Sequence, residues 1–132
     1  SKIEVIYRGR DPEKFNNLDF IDKSNLIEEL GLKGKRILLN VSRLIERKGQ
    51  LDLIKVLPEI LQTQPNAHLV IAGHGSFQTD LQNEINKLGI VNNVTLLGRY
   101  DRIPELLFIA DLFLDPAYAE GLPHFFLLML RY

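Results

Sequence analysis

The sequence predicts an α/β fold in which a parallel sheet carries helices on both faces. Residues 36–41 and 69–72 are nearly continuous apolar runs, the pattern of strands that are covered on both sides. Between these runs, apolar residues recur at three- and four-residue spacing, which is typical of amphipathic helices. Because strands and helices alternate along the chain, we expect the strands to be parallel.

The first predicted strand and helix have local signatures of their own. Apolar and polar residues alternate from Ile3 to Tyr7, as they do in a strand. Apolar residues at helical spacing predict a short helix over residues 23–30. Ser24 suits the N-cap of this helix, and Gly31 suits its C-terminal stop.

The middle of the chain predicts the centre of the sheet. The apolar run 36–41 is expected to be a central strand, and the spacing over 53–61 predicts the helix that follows it. The second apolar run, 69–72, precedes a predicted helix over 77–88 that stops at Gly89.

The last third of the chain repeats the same alternation. A core strand is expected over 94–97, a helix over 104–110 and a fourth core strand over 112–114. Pro123 suits the first turn of a further helix. In such sheets ligands bind beyond the carboxyl ends of the strands, which directs attention to loops 42–49, 73–75, 98–102 and 115–123.

Length and composition exclude several classes of protein. A chain of 132 residues predicts one domain over 1–132. The net charge of −1, from 16 Lys and Arg against 17 Asp and Glu, lacks the basic excess of a nucleic-acid-binding module. The absence of cysteine excludes disulfides and thiolate metal sites. Without a signal peptide or an apolar run long enough for a transmembrane segment, we expect a cytoplasmic protein.

The first candidate site is the loop that leaves the central strand. It carries Arg43 and Lys48 close to the start of a helix. Two cations beside a helix N-terminus suit a diphosphate, because guanidinium and ammonium groups both pair with phosphate oxygens. Taken alone, a basic loop of this kind is more often a solvated surface segment than a binding site.

The second and third candidates follow later strands. Gly73 and Gly75 flank His74, and glycines there either let a ligand approach the backbone or simply make the turn. His74 is interpreted first as a polar turn residue, with contact to a base or phosphate as the alternative.

Glu120 stands before Gly121 in the last loop, where a carboxylate could accept hydrogen bonds from sugar hydroxyls. Three other polar residues are given structural roles at strand ends: His68, Asp111 and Asp115.

An ordered series of short motifs resembles family 4 glycosyltransferases over nearly the whole chain. The segments that carry the resemblance are VIYRGRDPEKF (5–15), Arg43 with Lys48 and Gly49, LVIAGHG (69–75), VTLLG (94–98), ADLF (110–113) and EGLP (120–123). The resemblance implies a Rossmann-like domain, an incomplete carboxyl-terminal half of a GT-B fold, which binds a nucleotide diphosphate sugar as the donor substrate. By the same resemblance, the end of this domain is expected to be absent from the 132 residues. An amino-terminal domain that carries the acceptor site is implied as its partner and is not encoded here.

The resemblance also implies roles for individual residues. Arg43 and Lys48 would hold the donor diphosphate and stabilise the leaving group without a metal ion or another cofactor. Glu120 matches the first glutamate of a paired motif that contacts the transferred sugar, with Gly121 and Leu122 beside it in the donor site. The backbone from Gly73 to Gly75, including His74, would line the nucleotide pocket.

Departures from the family pattern leave more than one function open. Leu128 stands where the family has its second glutamate. The tail from Leu122 is expected to expose apolar surface and so to promote self-association. We expect the donor-binding part of a retaining glycosyltransferase, inactive by itself. The alternative is a degenerate, non-catalytic nucleotide-binding or interaction module. A nicotinamide-binding or response-regulator-like domain has little support, because neither the full glycine fingerprint nor an early acidic cluster occurs.

Overall fold

The computed structural model describes residues 2–9, 20–119 and 122–131, with side chains over residues 23–115. Its strands are β1 (Lys2–Gly9), β2 (Arg36–Val41), β3 (Ala67–Ala72), β4 (Val94–Gly98), β5 (Leu112–Ala119) and β6 (Leu122–Arg131). Its α-helices are α1 (Phe20–Glu29), α2 (Gln50–Thr63), α3 (Gln78–Leu88) and α4 (Ile103–Ile109). Short 3₁₀ helices cover Glu46–Lys48 and Val91–Asn93.

The described strands form one sheet in the order β1-β6-β5-β2-β3-β4. The four strands β5, β2, β3 and β4 are parallel to one another, and β2 lies inside the sheet as its pattern predicts. The predicted Rossmann-like parallel sheet is confirmed by this arrangement, in which a helix precedes each of β2, β3, β4 and β5.

Both faces of the parallel part of the sheet carry packed clusters, because side chains alternate along its buried strands. Leu38 packs in a cluster with residues of α2 and α3 on one face. Its neighbours Ile37 and Leu39 pack on the other face with residues of α1 and α4. All six residues of β3 are buried, which confirms the expectation from its unbroken apolar run.

The segment after residue 121 departs from the prediction. Pro123 was expected to start a helix, but residues Leu122–Arg131 form β6. This strand pairs antiparallel with β5 and parallel with β1. Residues 125–130 are all apolar and so lack the polar face of a surface helix, whereas pairing with two strands satisfies their backbone groups. Pro123 is tolerated at the second position because a proline near a strand end costs few ladder hydrogen bonds.

None of the helices in the described part of the chain is both long enough and apolar enough to span a bilayer.

Candidate functional site

A pocket of about 230 Å³ opens at the carboxyl ends of β2, β3 and β4. Three of the loops singled out from the sequence contribute to it, together with the start of α4. Its lining residues are Val41, Ser42, Arg43, Ala72, Gly73, His74, Arg99, Tyr100 and Ile103. The pocket therefore lies where parallel sheets place their ligands.

Backbone hydrogen bonds join the loops that form the pocket. The Leu44 amide donates to the His74 carbonyl at 3.0 Å, which ties the loop after β2 to the loop after β3. The Gly73 amide donates to the Gly98 carbonyl at 2.7 Å, which adds the end of β4. The three loops thus form one connected rim around the pocket.

Gly73 and Gly75 permit the close approach of these two loops. Gly73 has a φ of +142°, and a Cβ there would overlap the Ser42 carbonyl oxygen. A Cβ on Gly75 would overlap the Leu44 carbonyl. Gly73 lines the pocket, whereas Gly75 lies outside the lining and packs against the loop after β2. The packing of one loop against the other is thus enough to require glycine at both positions.

Three nitrogen-rich side chains line the pocket: Arg43, His74 and Arg99. Arg99 Nη2 lies 3.3 Å from His74 Nε2. Because a guanidinium group can only donate, His74 Nε2 is the acceptor in this contact. No carboxylate occurs among the lining residues, and no described acidic side chain forms an ion pair with Arg43 or Arg99. The pocket is therefore suited to an anionic ligand.

Lys48 lies next to the pocket loop but outside the pocket lining. It is the last residue of the 3₁₀ helix Glu46–Lys48 and is exposed. Gly49 follows with a φ of +77°, the left-handed conformation that lets the chain turn from this short helix into α2. The structure thus brings Arg43 to the pocket lining and leaves Lys48 exposed on the same loop, outside that lining.

Tyr100 lines the pocket and was not singled out from the sequence. Its hydroxyl oxygen is buried, and no described residue forms a hydrogen bond with it. Burial raises the pKa of this phenol, an effect that nearby Arg102 partly opposes. Arg102 itself forms ion pairs with Glu105 at 3.1 Å and with Glu29 at 3.3 Å, which link α4 to α1 beside the pocket.

A hydrogen-bonded series of polar side chains beneath the pocket loop was also not identified from the sequence. Asn40 and Gln50 are 1% and 0% exposed, and they lie on either side of Ser42. The sequence does carry a signal for Asn40, which is a polar residue inside an otherwise apolar strand. Arg99 carries a similar signal, because it is a cation placed directly after β4 in a loop that was singled out.

Of the remaining candidates, the residues of the last loop lie at or beyond the limit of the described side chains, whereas Asp111 has a defined hydrogen-bond partner. Glu120 and Gly121 lie outside the described residues, and Leu122 begins β6 with only its backbone described. Asp111 Oδ2 accepts a hydrogen bond from the Ile37 amide at 2.7 Å, which confirms its structural role at a strand end.

His68 is buried in β3, where its Nε2 lies 2.7 Å from Thr95 Oγ1. Burial, aided by the nearby Lys35 charge, lowers the pKa of this imidazole. The structural role expected for His68 is confirmed, since it lies toward the amino end of β3 and away from the pocket lining.

Fold and site together define a Rossmann-like α/β domain with an anion-suited pocket at the carboxyl edge of its sheet. A family model described as glycosyl transferases group 1 matches residues 22–127. The chain belongs to this family of glycosyltransferases, which confirms the resemblance seen in its motifs.

Individual relatives agree with this assignment. The uncharacterized glycosyltransferase MJ1607 of Methanocaldococcus jannaschii is 35% identical over 123 residues, which cover 90% of this chain and 31% of the relative. The GDP-mannose-dependent monoacylated alpha-(1-6)-phosphatidylinositol monomannoside mannosyltransferase of Corynebacterium glutamicum is 34% identical over 121 residues, with coverages of 89% and 31%. The chain thus spans less than a third of the length of either relative.

A solved structure gives the same fold. Crystal structures of Alr3699/HepE from Anabaena, in complex with UDP, with UDP and glucose, and with UDP-glucose, match with a TM-score of 0.66 and 27% identity. The match covers 84% of this chain and 29% of that protein.

Proposed function

We propose that this chain binds the nucleotide-sugar donor of a retaining glycosyltransferase. The observation that carries the proposal is the pocket at the ends of β2, β3 and β4, where Arg43, His74 and Arg99 meet without a carboxylate among the lining residues. A sugar nucleotide presents a diphosphate, and cations in a partly enclosed pocket bind such a group through charge-assisted hydrogen bonds. The UDP and UDP-glucose complexes of Alr3699/HepE support this choice of ligand.

Arg43 is the residue we place on the diphosphate. It lies at the carboxyl end of β2 in the pocket lining, and no described acid neutralises it. When the bond between the sugar and the diphosphate breaks, negative charge grows on the leaving phosphate oxygen. A guanidinium already in place stabilises that charge, and Lys48 from the neighbouring 3₁₀ helix supplies a second positive charge.

The other parts of the donor are assigned by position and by resemblance. We place the nucleotide against the backbone at Gly73 and His74, beside Arg99 and Tyr100. Glu120 is proposed to contact the sugar hydroxyls, with Gly121 and Leu122 next to it.

The acceptor site is proposed to belong to a partner domain. Because this chain spans less than a third of its relatives' length, we expect the 132 residues alone to bind a donor without transferring its sugar.

The test is calorimetric titration of UDP and GDP into wild-type protein and single variants. Replacing Arg43 or Lys48 with alanine removes charge-assisted hydrogen bonds, so we expect affinity to fall about ten- to a hundredfold. Arg47→Ala is the matched control, because Arg47 is an exposed cation on the same 3₁₀ helix. Wild-type affinity in Arg43→Ala would show that the phosphate assignment is wrong.

A second candidate is the degenerate, non-catalytic nucleotide-binding module. The observation that favours it is β6, because Leu128, the counterpart of the family's second glutamate, lies in this strand and not in the helix predicted to begin at Pro123. Glycosyl transfer measured with and without a supplied amino-terminal domain separates the two. Transfer that appears when the domain is added supports the enzyme, and donor binding without transfer supports the module.

A further inference from the structure

Gln50 is a polar side chain with no exposure to solvent, at the first position of α2. It reaches back across the pocket loop instead of turning outward. Its Nε2 lies 2.5 Å from Ser42 Oγ and 2.9 Å from the Arg43 carbonyl oxygen. The amide orientation is fixed chemically, because a carbonyl oxygen can only accept and Gln50 must therefore present its NH₂ group to Arg43.

These contacts continue as a chain of donors that all point the same way. Gln50 donates to Ser42, Ser42 Oγ donates to Asn40 Oδ1 at 3.4 Å, and Asn40 Nδ2 donates to the Leu114 carbonyl at 2.9 Å. The chain joins the start of α2, the end of β2 and the third residue of β5. Ser42 and Arg43, the two residues held at its upper end, both line the pocket.

We propose that Gln50 is a positioning residue for donor binding, which fixes the backbone at Ser42 and Arg43 so that the Arg43 guanidinium meets the diphosphate. This inference rests on the proposed function, because it assigns Gln50 a role only through Arg43. An exposed, long side chain such as Arg43 loses rotamer freedom when it binds. A fixed backbone leaves only the side chain to be ordered, whereas a mobile loop would also have to be ordered on binding.

The cost of Gln50 to stability argues for such a role. Its Oε1 is buried, and no described residue donates a hydrogen bond to it. A buried acceptor without a partner destabilises the fold, and an apolar side chain at the start of α2 would avoid that loss. Gln50 therefore holds the conformation of the pocket loop, although its unpaired Oε1 lowers the free energy of unfolding.

The experiment is a double-mutant cycle read by calorimetric titration of UDP. Gln50→Met keeps an unbranched side chain of similar length and removes both donors. We expect UDP affinity to fall about three- to tenfold when Arg43 is present, and by less than about twofold in the Arg43→Ala background. Gln62→Met, at an exposed position of the same helix, is the matched control and should leave affinity unchanged.

The outcomes separate this inference from the proposed function. If wild-type protein does not bind UDP, the proposed function fails. If wild-type protein binds UDP and Arg43→Ala binds it equally well, the phosphate assignment of Arg43 fails, and the role of Gln50, which acts through Arg43, is overturned with it. Two outcomes overturn the positioning role alone, provided that Arg43→Ala weakens UDP binding. In the first, Gln50→Met does not weaken binding. In the second, Gln50→Met weakens binding by the same factor with and without Arg43.

If the Gln50→Met protein does not fold, a second measurement on the wild-type protein tests the same proposal. In the wild-type protein, saturation with UDP should shift the side-chain amide NMR signals of Gln50 and leave those of Gln62 in place. Unshifted Gln50 signals at saturation would overturn the proposal.

Discussion

At the scale of single residues, Gly73 shows how the pocket depends on a backbone that other residues cannot adopt. Its φ of +142° lies in a region that side chains avoid, and the space where a Cβ would sit is taken by the Ser42 carbonyl. Gly34 has a φ of +77° but open space around it. Gly73 therefore combines a backbone conformation that is restricted to glycine with a steric clash, whereas Gly34 has only the milder left-handed conformation.

Gly73→Ala is expected to lower the free energy of unfolding by roughly 3 kcal/mol or more, since backbone strain and overlap add. Gly34→Ala should cost only roughly 1 to 2 kcal/mol, the conformational part alone. Urea unfolding of both variants measures the difference. Equal losses would mean that the Ser42 carbonyl moves aside easily and that the contact between the two loops is soft.

Single residues also show what the sequence could reveal about the site. Arg43 and His74 were found because each follows a buried strand in a loop at the predicted ligand edge. Gln50 could not be found, since its burial depends on the path of the loop that folds over it. Arg99 was missed although its loop was singled out, because its position beside His74 depends on the order of β3 and β4 in the sheet.

At the scale of elements, the parallel part of the sheet was predictable and β6 was not. Strand β2 has the same bounds in the prediction and in the structure, because a nearly continuous apolar run fits a strand buried on both faces. The tail is also apolar, but helix and strand are both compatible with a short apolar run. The choice between them comes from pairing with β5 and β1, which lie next to β6 in the sheet and at opposite ends of the chain.

The position of Leu128 within β6 predicts the effect of a glutamate there. Its backbone is opposite Phe113 on one side and Ile6 on the other, and Phe113 is the second residue of β5. Leu128 thus lies toward the amino end of β5, away from the carboxyl edge that holds the pocket. We expect Leu128→Glu to leave UDP affinity unchanged or weaker, measured by calorimetry. A gain of about tenfold or more, absent with a 2′,3′-dideoxy nucleotide, would instead indicate the ribose contact of the family's second glutamate.

At the scale of the whole molecule, the two ends of the parallel sheet have different roles. The carboxyl end holds the pocket and its cations, whereas polar groups with structural partners, His68 with Thr95 and Asp111 with Ile37, lie toward the amino end. A change at the amino end should therefore alter stability without altering ligand binding. Self-association through the apolar tail stays a separate prediction at this scale, to be measured by sedimentation.

His68 offers the test of this separation, because it is a titratable group buried beside Thr95 and Lys35. Burial and the Lys35 charge hold its pKa in the folded protein below the value of about 6.5 that applies to an unfolded chain. Above that pH the imidazole is neutral in both states and contributes no pH dependence. As the pH falls through 6.5, the unfolded chain takes up a proton that the folded protein resists, so the free energy of unfolding decreases.

We therefore expect wild-type protein to lose stability between pH 7.5 and pH 5.5 more steeply than His68→Gln, by up to about 1.4 kcal/mol per pH unit. Glutamine can still bond to Thr95 but cannot titrate, and the other two histidines, His74 and His124, are common to both proteins and cancel in the comparison. Urea unfolding at the two pH values gives the slopes, and UDP titration at pH 7.5 should give equal affinities. Parallel slopes would show that His68 takes up its proton without cost in the folded state. A loss of UDP affinity in His68→Gln would show that the amino end of the sheet is coupled to the pocket after all.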